Sequence, residues 1–203
     1  MQTYLDKQVL AVDRPTLAAA LRAGADAAER AGRVIIEASA DGAALSNDQL
    51  DAPSDEDTGI GEVRLVSAEP RALVRVTLLE AADTLEQVGP DHAAVAKMIH
   101  EGRLEDAMSE LASLLDVWRA VQESVDKGSA LIGLTLENVR LGDVGHVGQL
   151  VEQLAGRLEE LKTALANQDW STVADLIEFE MVEQAERWTA LLRGLSEHLK
   201  ENR

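Results

Sequence analysis

The sequence predicts an α+β fold dominated by helix: a small α+β module over residues 1–68, then an antiparallel helical bundle over residues 69–203. Three observations lead there. Beyond Pro70, apolar side chains recur at steps of three, four or seven, the spacing that holds them on one side of a 3.6-residue helix. The first 68 residues carry short β-branched runs and turn pairs instead. Apolar residues make up 46% of the 203, but aromatics only 2%, so the core must be aliphatic, which suits helix packed on helix. A chain of this length can bury a sizeable core whichever way it divides.

Within the first module, Thr3 to Leu5 and Gln8 to Val12 read as two strands joined at Asp6-Lys7. Pro15 stands where a first helical position is expected, Leu17, Leu21, Ala28 and Ala31 follow at helical spacing, and Gly32 stops the helix. Val34 to Ile36 begins another strand that leads into Asp41-Gly42, a two-residue hairpin pair. Residues 46–57, SNDQLDAPSDED, read as a solvated, mobile acidic loop. Glu62 to Ala68 alternates, with Val63, Leu65 and Ser67 on one face and Arg64 and Val66 on the other. Two strands, a helix, then two or three strands is similar to the β-grasp, or ubiquitin-like, layout, in which one helix covers a small mixed sheet. A ferredoxin-like or irregular α+β module would read much the same. Ubiquitin-like carriers end in a free Gly-Gly, whereas Gly59-Ile60-Gly61 is internal here, so carrier chemistry is not implied.

From Pro70 onward the pattern is helical. Val74, Leu78, Ala81, Leu85 and Val88 form one stripe that ends at Gly89-Pro90. Asp91 to His100 is a second helix, closed by Gly102. Leu104 to about Leu131 is the longest, with Leu104, Met108, Leu111, Leu115, Trp118, Val125 and Ile132 at core spacing. GLTLENVRLGDVG reads as a connection with a short extended piece at Thr135 to Leu141. Leu150 to Leu165 is a further helix, and Asn167 to Asp169 turns into the terminal one. There Asp169 or Ser171 can cap, and Val173, Ile177, Met181, Trp188, Leu192, Leu195 and Leu199 make the packing face. The helical pairs within Val95–Val121 and Leu158–Leu192 look alike, through internal duplication or through shared hairpin grammar.

Composition excludes several functions. With 37 acidic against 19 basic residues the formal charge is 19 − 37 = −18, a field that repels nucleic acid and anionic lipid. There is no cysteine, so disulfides, thiol catalysis and thiolate metal sites are absent. MQTYLDKQVL lacks a basic region followed by an apolar core, and no apolar run is long enough to span a bilayer; a cytoplasmic location without membrane insertion is expected.

Catalytic and cofactor patterns are missing too. The Glu-x-x-His pairs of a di-iron bundle do not occur. Asp143-x-x-His146 is a single pair in a Gly-rich connection and reads as surface histidine. Gly142 to Gly148 is expected to follow no strand and has no Lys-Ser or Lys-Thr to complete a phosphate loop. Asp55 to Gly59 breaks the calcium-loop pattern, and Glu178 and Glu180, two apart on a helix, point to different sides. No catalytic residue, metal ligand or cofactor site is assigned, and the protein is expected not to be an enzyme. Trp118, Trp170 and Trp188 read first as bundle anchors and second as the lining of a groove for an amphipathic helix.

The segment ALANQDWSTVADLIEFEM, with Trp188 downstream, resembles a pattern in uncharacterised bacterial helical proteins, some from motility and flagellar gene neighbourhoods. Those carry Ala-Asp-Leu-Leu-Glu-Tyr-Glu-Leu in the last helix, where this chain has Phe179 for Tyr and Met181 for the final Leu. The resemblance covers residues 95–199, and it implies an adaptor or chaperone-like component linked to motility or secretion. The partner's amphipathic helix would pack on Leu111, Leu115, Trp118, Ile177, Met181 and Trp188. Two other readings remain: a small-molecule or metal-ion binding domain using the acidic loop or the cleft between modules, and a structural protein that homodimerises through a strand edge.

Overall fold

Asp6 and Lys7 both take positive φ, 49° and 70°, which makes the tight turn that the right-handed twist of a hairpin favours. It joins β1 (Gln2–Leu5) to β2 (Gln8–Leu10). In this computed structural model, which describes residues 1–57, 59–142 and 145–201, the chain divides into two compact units, Met1–Leu73 and Val74–Arg203.

In the first unit α1 (Leu17–Arg30) crosses to β3 (Val34–Ala40) and β4 (Ala43–Ala44), then α2 (Asn47–Asp51), and β5 (Glu62–Ala68) closes the sheet. The sheet order is β2-β1-β5-β3-β4, with β1 and β5 parallel and the other pairs antiparallel. Val63, Leu65 and Ser67 are buried and Arg64 and Val66 exposed, as the alternation predicts. Leu17 and Ala20 of α1 join Val63 and Leu65 in one core cluster. Gly24 permits that contact, since a Cβ there would lie 2.0 Å from Leu65 Cδ1.

Two expectations need correction. Pro15 precedes the helix and Thr16 is the cap, its hydroxyl accepting the Ala19 N–H at 3.2 Å and so serving a donor that the first turn leaves unpaired. Part of the acidic segment is ordered: Ser46 and Gln49 form a reciprocal capping box that starts α2. Outside that helix, the Asp6 carboxylate accepts the Ser67 N–H at 2.8 Å and the Ser67 hydroxyl at 2.5 Å, tying the first turn to β5. Asp41 likewise accepts the N–H groups of Gly61 and Glu62.

The second unit takes in most of α3 (Pro70–Gln87), then α4 (Gly89–His100) and α5 (Leu104–Ile132). Gly89-Pro90 opens α4 as well as stopping α3, because proline is at home in a first helical turn. Gly133, at φ 65°, ends α5 in the left-handed conformation. The buried stripe of α5 is Ala107, Leu111, Leu114, Trp118, Val121, Val125 and Ser129; Leu104, Met108, Leu115 and Ile132 sit half-buried at its margin. The expected extended piece shrinks to a 3₁₀ turn at Leu136–Asn138 and a two-strand pair, β6 (Arg140–Leu141) with β7 (Gly145–His146). Next come α6 (Val147–Ala166), a turn with Gln168 at φ 55°, and α7 (Trp170–Asp175), which Asp169 caps through the Thr172 N–H.

The chain then runs without a break through a π-helical stretch, Leu176–Met181, into α8 (Val182–Glu201). All seven residues of the expected stripe are buried. Val173, Ala174, Leu176 and Ile177 belong to one core cluster, with Val95, Ile99, Leu111 and Leu161. Met181, Ala185, Trp188, Leu192, Leu195 and Leu199 belong to another, with Leu78, Leu85, Trp118 and Leu154. The π turn lies where the helix passes from the first cluster to the second.

Candidate functional site

The centre of the helical unit is aromatic. Trp118 meets Trp188 edge to face, ring centroids 6.0 Å apart at 84°, and both are 1% exposed. The Trp118 indole N–H donates to His92 Nε2 at 3.3 Å, while His92 Nδ1 lies 3.1 Å from the Val88 carbonyl and 3.3 Å from that of Gly89. Carbonyls only accept, so Nδ1 carries the proton and Nε2 is bare. The ring is neutral, and burial pushes its pKa below the ordinary histidine value. The sequence held a signal for this inward histidine: His92, Val95, Ala96 and Ile99 are buried at i, i+3, i+4 and i+7 of α4.

This geometry decides where the six expected contact residues stand. Leu111, Trp118, Ile177, Met181 and Trp188 are at most 4% exposed, and Leu115 is half-buried. They split between the two core clusters, Trp118, Met181 and Trp188 in one and Leu111 and Ile177 in the other, with Leu115 at the latter's margin. The protein's own helices occupy them, so in this conformation they form interior and offer no open groove. Trp118 and Trp188 are anchors, and Trp170 packs half-buried against the smaller cluster. Trp188 Nε1, Gln184 Oε1 and Ser196 Oγ, all on α8, are buried without a hydrogen-bond partner among the described residues.

A groove of about 430 Å³ lies between α3 and α5, and two further open grooves of the unit run along α8. On one flank a groove of about 620 Å³ is lined by Leu85 and Gly89 on one side and by Val182, Ala185, Thr189 and Ala190 on the other. On the opposite flank a groove of about 430 Å³ lies between Gln149, Leu150 and Gln153 of α6 and Arg187 and Ala190 of α8. Ala190 lines both. The rims are charged: Arg193 donates to Glu86 at 2.7 Å and to Asp83 at 3.3 Å, and Arg187 donates to Gln153 at 3.3 Å.

Glu178 and Glu180 diverge as their spacing predicts, Glu178 standing 3.8 Å from His100 on α4 and Glu180 2.8 Å from Arg157 on α6. His146 is an exposed N-cap residue of α6 and makes no capping bond there. Its expected companion Asp143 lies outside the described residues, as do Val144 of the Gly-rich loop and Thr58 of the acidic segment. Among the described residues no group of three or more His, Asp or Glu is placed to hold a metal ion. No helix there is long and apolar enough to cross a membrane.

A family model described as a domain of unknown function (DUF8042) matches residues 76–191, more than half of the chain, from within α3 to within α8. No curated protein and no solved structure matches. The matched span takes in His92, both central tryptophans and the π turn.

Proposed function

We propose, on the premise that the chain belongs to the DUF8042 family of domains of unknown function, that it is a non-enzymatic interaction protein. Its helical unit receives an amphipathic helix of a partner along the exposed side of α8. The observation that supports this is the meeting of the two grooves at Ala190, whose short side chain leaves room for another helix between α6 and the α3–α4 corner. The partner's helix then lies outside the core residues first expected to hold it.

The wider reading is an adaptor or chaperone-like component of the bacterial cytoplasm, tied to motility or secretion through the resemblance of the ALANQDWSTVADLIEFEM segment. The first unit is read as a β-grasp, supported by one helix over a mixed sheet whose first and last strands run parallel at its centre.

The test replaces exposed Ala190 with Trp, which obstructs the place where the two grooves meet. Partners captured from cell extract by the wild-type chain are identified and titrated calorimetrically. Binding with a negative heat-capacity change, lost in A190W, supports the reading; equal binding to both proteins removes it. A second reading, self-association through the β2 edge, draws on Val9, which is 74% exposed on a strand that pairs with β1 alone among the described residues. Light scattering of the full chain and of Val9→Lys decides it, since a dimer that V9K leaves intact does not use that edge.

A further inference from the structure

The terminal helix turns outward the one exposed aromatic side chain of the helical unit. Phe179, the only phenylalanine, is 62% exposed, while Trp118 and Trp188 are 1% exposed. It sits in the π-helical stretch Leu176–Met181, and single π turns recur at functional sites because they interrupt the regular hydrogen-bond ladder. A large apolar ring left in water and an irregular turn thus fall on the same six residues. Four residues before Phe179 stands Asp175 and four after it Glu183, both exposed, so carboxylates bracket the ring along one side of the helix. Glu183 pairs with Arg187 on the surface, where such pairs exchange readily. The whole chain carries −18.

We propose that Asp175, Phe179 and Glu183 form the docking point for a basic segment of a protein partner. This rests on the interaction reading above and names the partner's chemistry. An arginine guanidinium stacks on the Phe179 ring, held there by the ring's negative face, and cationic neighbours one helical turn away pair with Asp175 and Glu183. Charge complementarity selects this occupant: an acidic helix would bring carboxylates against carboxylates.

The probe is a fluorescent synthetic helical peptide of alanine and leucine carrying arginines at i and i+4, compared with the same peptide carrying glutamates. Both are titrated by anisotropy against the full chain. The expected result is binding of the arginine peptide alone, weakened about tenfold by Phe179→Ala and several-fold by Asp175→Asn or Glu183→Gln, and kept by Phe179→Tyr. These positions are exposed, so the melting temperature stays unchanged. Equal affinity for wild type and F179A overturns the proposal, because the peptide then follows net charge; so does binding of the glutamate peptide, or no binding at all. A190W is titrated in parallel. Loss there with F179A unaffected leaves the groove reading standing and removes this one.

Discussion

Trp118 donates its indole N–H to His92 Nε2 at 3.3 Å, and that bond together with the two carbonyls at Nδ1 leaves the imidazole no room for a second proton. Protonation would set N–H against N–H inside the core. The histidine's native pKa is lowered by burial, so the unfolded chain binds the extra proton more readily. Its contribution is complete above the unfolded value, about 6.5, and is lost as pH falls from there towards the lowered native value. Urea unfolding of the wild type between pH 8 and pH 5 is expected to show stability falling with acid, and His92→Gln to flatten that slope. An unchanged slope in the variant would mean that other groups carry it.

The two central tryptophans are expected to respond differently to the same trimming. Trp118→Phe strands the buried His92 Nε2 without its donor, a loss of about 1–3 kcal/mol beyond the change in packing. Trp188→Phe removes an N–H that has no partner among the described residues, so only the packing change remains. Denaturant midpoints of the two variants check the order, and Trp188→Ala provides the upper bound at about 3–5 kcal/mol.

Gly24→Ala is expected to destabilise the first unit, although alanine is the better helix former by about 1 kcal/mol. The new methyl would stand 2.0 Å from Cδ1 of Leu65, a residue 1% exposed. Overpacking of this kind costs about 1–3 kcal/mol. Thermal melts of G24A, Leu65→Ala and the double variant should show the pair losing less than the sum of the two.

Asp169 holds the first turn of α7 by accepting the Thr172 N–H at 3.2 Å and the Thr172 hydroxyl at 2.8 Å, bonds that hold its pKa below the usual carboxylate value. Asp169→Ala is expected to destabilise the helix start by removing its cap, and Asp169→Asn to restore most of the loss. Denaturant unfolding at neutral pH distinguishes them. The wild type loses this contribution as pH falls through the lowered native value and the carboxylate is protonated.

Much of the fold was legible because periodicity reports burial directly. The stripe from Val173 to Leu199, the alternation of Val63, Leu65 and Ser67, and the Asp41-Gly42 turn all follow from spacing and turn chemistry. Boundaries were harder to read, since Thr16 and Pro15 are both good helix starters and only the hydroxyl's bond to Ala19 separates them. The site was the least legible. A stripe of large apolar residues such as Leu111, Trp118 and Met181 reads the same whether it faces a sister helix or a partner, and the structure turns those residues inward. Spacing puts His92 on one stripe of α4 with Val95, Ala96 and Ile99, but its partner Trp118 lies on the next helix, and spacing does not identify it. The π turn leaves no composition signal: Leu-Ile-Glu-Phe-Glu-Met suits a regular helix equally well.

A π turn holds one residue more than the α-helical turn it replaces. Deleting a single residue between Leu176 and Met181 would let that stretch close into regular α-helix, with Ile177 and Trp188 still facing their separate cores. Deleting one between Ala185 and Leu195 would swing everything downstream by about 100°. Length variation in the terminal helix can therefore be absorbed at this turn, and a relative one residue shorter would be expected to lack the bulge.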